Sequence, residues 1–346
     1  GSAIRHYGIC GIACICDCEA SVPSYRKGNI LIMADTKKKL GLVIHTVWFW
    51  VAWLFFVPLL VQYLFDSESY IADFLGEIIT IGLPAYLLIR YRDKRKEKKE
   101  YLYRIEDVPL KRLSHKGLMG SMLSCVSLFL FVTYAINTAQ LVYYLRTKEF
   151  YSFSTVEKFH LSGFTMALII NAILPALLEE ILYRGLYRDA FRNHNKFIAI
   201  FIPSLVFASL HANIIPMSNA FLLGMLLMIL YQRSGSLKLV IILHAVYNIL
   251  GIIFNQYVAL PFTTLSLFNS GSNATQIVYA LVISIAVTLL SLVMIFLSVG
   301  YCFKGNNPAI KINGNKSGFM DIIMNIFFFI SAVLMIILKI TNPDAS

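Results

Sequence analysis

Charge is what this chain has least of. Asp, Glu, Lys and Arg together make up 14% of its 346 residues, about half the share of a soluble globular domain. That shortage excludes an ordinary solvated surface. Hydrophobic residues take the space at 58%, with a mean hydropathy of +0.69. The short alternating strands of a membrane β-barrel are missing too, and long unbroken apolar runs stand in their place. Acidic residues are the scarcer sign, 19 against 30 basic. The resulting net charge of +11 would point to nucleic acid only if the basic residues lined one soluble face. They fall instead in the loops between apolar runs, where they set membrane topology. Nucleic-acid binding is not expected; contact with membrane lipid is. Cysteine is also sparse. Four of the six sit in the opening stretch, at Cys10, Cys14, Cys16 and Cys18, at a spacing that matches no zinc site. Cys125 and Cys302 lie in apolar runs and read as core residues.

What is present is an all-α pattern, a polytopic membrane helical bundle of about nine hydrophobic segments. They run over 40–65, 71–89, 117–145, 161–183, 197–213, 217–231, 237–254, 277–299 and 319–338, each judged against the roughly 20 residues that a membrane span needs. If Lys37, Lys38 and Lys39 are cytoplasmic, alternation puts 90–116, 184–196, 233–238 and 302–318 on the same side. All of these are rich in Lys and Arg, while 66–70, 214–218 and 257–275 carry none. Residues 146–160 fit less well, with Arg146, Lys148 and Lys158 beside Glu149 and Glu157. The basic loop at 90–116 reads as a solvated cytoplasmic loop, with anionic lipid headgroups as a second use. Residues 1–32 are read as appended or translated from upstream sequence, because Met33 opens MADTKKKLG like a natural start. Deleting them is expected to leave activity intact. The remaining divisions are 33–160 for the N-terminal spans and basic loop, 161–256 for a core, and 257–346 for the C-terminal spans.

The core is marked by polar intruders in apolar helices. PALLEEILYRGLYRDAF, from Pro175 to Phe191, places Glu179, Glu180 and Arg184 together. Glu180 and Arg184 are four apart with the glutamate first, the favourable order for a pair on one helix face. Glu179 is rotated about 100° from Glu180 and is left for other work. His211 ends the fifth segment, and His244 with Asn248, again four apart, lies on the seventh. Each intruder would cost several kcal/mol, to an order of magnitude, if left unpaired in hydrocarbon, so the cheapest arrangement brings them together. A carboxylate and an imidazole could then take a proton from a shared water. A second imidazole and an amide could donate to a developing oxyanion. That set suits peptide-bond hydrolysis. No G-x-S-x-G and no H-E-x-x-H is present, and no cysteine lies near the cluster. Zinc held by Glu179, His211 and His244 is the chemical alternative; otherwise no cofactor is expected. A proton-relaying transporter is a further alternative, but the inverted repeats it calls for are not seen.

Three motifs now carry a resemblance. EEILYR resembles the EExxxR motif of the CAAX protease and bacteriocin-processing family (CPBP, or Abi), FASLH its FxxxH motif and HAVYN its HxxxN motif. GMLLMILYQRSGSLKLVIIL, ahead of the last, is similar to the run found there in bacterial members. Order and spacing agree, over residues 164–251, about a quarter of the chain. The resemblance implies an intramembrane endopeptidase of the glutamate type. In it Glu179 with His211 would activate water, and His244 with Asn248 would form the oxyanion hole. Glu180 and Arg184 would brace the site, and Phe207 would pack beneath it. Eukaryotic members remove the last three residues of prenylated CAAX proteins. Bacterial members are linked to maturation of peptide pheromones, to bacteriocin processing and to self-immunity. The expected partner is a peptide or protein substrate in a bacterial plasma membrane, with oligomeric state left open. A non-catalytic immunity or scaffold protein is the alternative. One conflict remains at this stage. His211 lies about 14 residues, roughly 21 Å, from the cytoplasmic end of its segment, while Glu179 lies only about a turn from that face. For the two to meet, segment five must start deeper or bend at Pro203, or segment four must tilt.

Overall fold

The computed structural model describes residues 24–52, 70–90, 103, 105, 107–148, 161–211, 214–256, 263, 273–302 and 319–341. These residues are almost entirely helical. Nine helical stretches appear among them: α1 (Ser24–Val51), α2 (70–90), α3 (His115–Thr147), α4 (161–191), α5 (Lys196–Ser209), α6 (Ile214–Ser234), α7 (Leu237–Gln256), α8 (Ala274–Cys302) and α9 (Phe319–Thr341). Five are long and apolar enough to cross a membrane: His115–Thr147, Gly163–Phe191, Ile214–Ser234, Leu237–Phe254 and Ala274–Tyr301. This is a multi-pass, all-α membrane bundle. Helix α1 already begins at Ser24, ahead of Met33, while the cysteine-rich opening stretch lies outside the described residues.

Local chemistry explains the helix limits. Ser114 caps α3 by accepting from Gly117 N at 3.0 Å, and Asn195 caps α5 by accepting from Ile198 N at 2.8 Å. Gly235, at φ 67°, closes α6 with its N–H donating to Tyr231 O at 2.7 Å, a left-handed turn that only glycine enters without strain. Proline explains two widened turns. In α2 a π-helical turn spans Ile78–Gly82 just ahead of Pro84; in α4 another spans Ile169–Ile173 just ahead of Pro175. A proline ring collides with the carbonyl four residues back and offers it no N–H, and a wider turn relieves both problems.

Helix α4 is the centre of the bundle. From Leu182 to Phe191 every residue is buried, so this stretch faces protein on all sides. Helices α5 and α7, with parts of α1 and α2, surround it, and Phe328 of α9 packs on its Tyr187 and Phe191, while α8 pairs with α3 at the periphery. Asn137 on α3 donates to Ser284 Oγ on α8 at 2.6 Å, a polar tie inside hydrocarbon.

Two sequence expectations are corrected here. The basic stretch 184–196 is not a loop: helix continues to Phe191 and only 192–195 turn. Arg184 and Arg188 are buried, the first paired with Glu180 and the second over the Tyr231 ring at 5.9 Å. They serve packing instead of marking a solvated face. The loop at 90–116 is not wholly solvated either. Its buried Tyr103 donates to Lys38 O at 2.6 Å, and Val108 N donates to Gly235 O at 2.8 Å. Lys38 in turn pairs with Asp189 at 2.7 Å. Lys39 hydrogen-bonds His194 and donates to Asn325 at 2.9 Å. The ends that alternation assigned to the cytoplasm thus bond to one another, as a common side requires.

Candidate active site

The longer α4 removes the depth conflict. Glu179 lies about 12 residues, roughly 18 Å, from Phe191, and His211 about 15 residues, roughly 22 Å, from Lys196, at about 1.5 Å per helical residue. Both distances start from the same turn, so the two groups stand at similar depth within the bundle.

Glu179 and Glu180 close an α-helical stretch, Leu174–Glu180, and a π stretch, Ile181–Tyr187, follows at once. Single π turns inside α-helices are common at functional sites. Glu180 is 0% exposed, Arg184 1%, His244 2% and Glu179 7%. Arg184 NH1 donates to Glu180 Oε1 at 2.6 Å, its NH2 donates to the Gly224 carbonyl at 3.2 Å, and its guanidinium lies 5.0 Å from the centre of the Phe207 ring. Helix α7 brings His244 to the same carboxylate: Nδ1 lies 2.8 Å from Glu180 Oε1. Because a carboxylate accepts, Nδ1 carries a proton and donates. The other ring nitrogen, Nε2, is turned toward Glu179 Oε2 at 3.7 Å. One imidazole therefore stands between the two adjacent glutamates. The simple 100° helical step had sent those glutamates to different places; α7 packs where it can reach both.

Phe207 is the common neighbour of the remaining groups. Its ring lies 5.1 Å from His211, 5.9 Å from His244 and 5.1 Å from Tyr183, edge-on in each case. His211 Nδ1 donates to the Phe207 carbonyl at 3.2 Å, which leaves the basic lone pair on Nε2. His211 is half-buried at the end of α5. Asn248, one turn beyond His244, is half-buried too, and its neighbour Tyr247 donates to Asn219 Oδ1 on α6, fixing that turn of α7. Among the described residues no group of three or more His, Cys, Asp or Glu side chains is placed to hold a metal ion.

Glu179, Glu180, Arg184 and His244 thus meet directly where α7 packs on α4, His211 joins them through Phe207, and Asn248 is placed only by its position one turn along α7 from His244. Residues 161–250 match the Rce1-like family of type II CAAX prenyl endopeptidases. That match agrees with the resemblance carried by EEILYR, FASLH and HAVYN, and the matched family is one of proteases. It covers the core, about a quarter of the chain, and leaves α1, α2, α3, α8 and α9 outside. No curated protein and no solved structure matches.

Three contributors escaped the sequence reading. The Gly224 carbonyl bonds Arg184 through its backbone, which no side-chain pattern reveals. Tyr183 sits inside EEILYR but was passed over as apolar. Glu77 lies inside the second apolar run, YIADFLGEIITIGLPAYLLIR, and belongs to the electrostatic surroundings of Glu179. The rule that an ionisable residue within a span signals function applied to it as well.

Proposed function

We propose that this protein is an intramembrane endopeptidase that hydrolyses a peptide bond of a membrane-associated peptide or protein. The observation that carries the proposal is His244 standing between Glu180 and Glu179 within a segment that matches a protease family. Glu179, with His211, takes a proton from water as its oxygen adds to the scissile carbonyl carbon. The oxyanion that forms accepts from His244 Nε2–H and from the Asn248 amide. Glu180, accepting from Nδ1, orients the imidazole for that task, and Arg184 holds Glu180 in place. The carbon–nitrogen bond then breaks, and the proton held on Glu179 passes to the leaving amine.

The substrate class is a peptide pheromone, a bacteriocin precursor or a CAAX-like protein, in a bacterial plasma membrane. The bacterial-type run ahead of HAVYN supports that branch. No cofactor is needed; a zinc mechanism would require Glu179, His211 and His244 to converge on one point. The test is cleavage of a peptide library by purified protein in bilayers, comparing wild type with Glu179→Ala and His211→Ala, each with and without a chelator. Loss in both variants, by about 10²-fold or more, with no effect of the chelator, is the expected outcome. Inhibition by chelator and rescue by zinc would move the site to metal chemistry. No cleavage by folded wild type would favour the non-catalytic immunity or scaffold reading.

A further inference from the structure

Two hydrophobic clusters meet at the site. One gathers α4 over 182–191 with α5 and parts of α1, α2 and α9. The other gathers α3, α7 and residues 223–231 of α6. The bonds from Glu180 to His244 and from Arg184 to the Gly224 carbonyl cross the seam between them. A segment outside the matched family region crosses the same seam. It comprises Tyr103, Ile105 and residues 107–113. Ile105 packs against both clusters. Its side chain lies directly on Gly185, the residue after Arg184: a Cβ added there would meet Ile105 Cδ1 at 3.2 Å. On one side, Tyr103 donates to Lys38 O of α1 at 2.6 Å. On the other, Val108 N donates at 2.8 Å to the carbonyl of Gly235, in the turn between α6 and α7. Asp107 Oδ1 accepts from Lys238 N at 3.3 Å. That N–H belongs to the first turn of α7, where helical N–H groups lack partners within the helix, and a carboxylate suits the positive end of the dipole. The Lys238 ammonium, 3.6 Å from Asp107 Oδ2, is exposed and adds little. Leu110 and Leu113 pack on the second cluster.

We propose that this segment is a strap that holds α7 against α4, and that Ile105 and Asp107 are positioning residues for the hydrolysis. Their catalytic role rests on the endopeptidase reading; the strap rests on the contacts themselves. Each anchor lies close to a site residue. Ile105 touches the backbone next to Arg184. Asp107 binds α7 six residues ahead of His244, roughly 9 Å along the helix. The His244 ring spans a narrow gap, with Nδ1 2.8 Å from Glu180 Oε1 and Nε2 3.7 Å from Glu179 Oε2. A shift of α7 by about 1 Å would misplace the ring against both glutamates, and a misplacement of that size can cost about 10²-fold in rate. Neither Ile105 nor Asp107 takes part in the hydrolytic steps above, so both act through the helices that they hold.

The experiment has two readouts on full-length protein in bilayers. The first is the distance between spin-label amino acids placed at Leu177 on α4 and Ile242 on α7, 42% and 44% exposed, with and without Ile105→Ala/Asp107→Ala. The second is steady-state cleavage of a library peptide by the unlabelled proteins. In the double variant the distance is expected to lengthen or broaden, and kcat to fall at least about tenfold with KM changed less than about twofold. Ile105→Ala/Asp107→Asn keeps an oxygen that accepts from Lys238 N–H and is expected to recover part of both effects. Should the double alanine variant fail to fold, Tyr103→Phe, which removes the bond to Lys38, takes its place with the same expected direction. An unchanged distance in folded protein overturns the strap, whatever the protein cleaves. A changed distance with unchanged kcat overturns the positioning role and leaves a merely structural tie. Failure of folded wild type to cleave any peptide removes the endopeptidase and with it the positioning role, while the distance decides the strap on its own.

Discussion

Replacing Arg184 by methionine isolates what holds the site together. The methionine keeps most of the buried volume and removes the guanidinium. Three contacts vanish with it: the 2.6 Å bond to Glu180, the 3.2 Å bond to the Gly224 carbonyl, and the stacking 5.0 Å above Phe207. Glu180, at 0% exposure, keeps its hydrogen bond to His244. Removing one member of a buried ion pair costs about 3–5 kcal/mol, because the other charge stays behind. Arg184→Met alone should therefore destabilise the fold by about that amount. Glu180→Gln in the same protein removes the stranded charge, while the amide oxygen still accepts from His244. The double variant should then recover about half of the loss or more, since a buried pair replaced as a unit is often close to neutral. Detergent-induced unfolding in mixed micelles, followed by circular dichroism, gives the four free energies of the cycle. A single-variant loss under about 1 kcal/mol, or strictly additive losses in the double variant, would refute a buried pair as the brace.

Two further outcomes follow from the geometry. Gly224→Ala places a methyl 3.1 Å from Phe207 Cδ1 and 3.2 Å from Ser204 Cβ, so both side chains must give way by a small shift; unfolding should show a loss of about 1–3 kcal/mol, and kcat should fall because both histidines rest on Phe207. Asn248→Ala should lower kcat by about 10²–10³-fold with little change in KM, the signature of a donor used in the transition state, and steady-state kinetics on any cleaved library peptide measures it.

The fold was legible because hydrocarbon leaves the chain little choice. Long apolar runs could only be helices, and the loop charges ordered them. Where that reading slipped, the cause was a charge doing something other than meeting water. Arg184 and Arg188 were counted as a cytoplasmic loop because arginine near the end of a span normally signals one. In the structure Glu180 and the Tyr231 ring take them into the bundle, and the helix runs on to Phe191. The site was legible through its polar intruders for the same reason: Glu179, Glu180, His211 and His244 cannot lie scattered in lipid. What sequence spacing could not convey was the meeting of both glutamates at one imidazole. That depends on where α7 crosses α4, and a crossing between helices distant in sequence leaves no trace in the periodicity of either one.

The slip at Arg184 and the depth conflict at Glu179 are one error seen twice. Ending segment four at Tyr183 put the carboxylates near the surface, where their chemistry would compete with bulk water. Extending the helix by two turns puts them at the level of His211, because both ends are counted from the same short turn capped by Asn195. Burying Arg184 lengthens the helix, neutralises Glu180 and sets the depth at once. A hydrolase inside a membrane needs water admitted sparingly to a place otherwise dry, so that the dipoles aimed at the reacting carbonyl act in a low dielectric. In the proposed mechanism, half-buried His211 and Asn248 supply the wetter edge of a site whose Glu179, Glu180, Arg184 and His244 are buried.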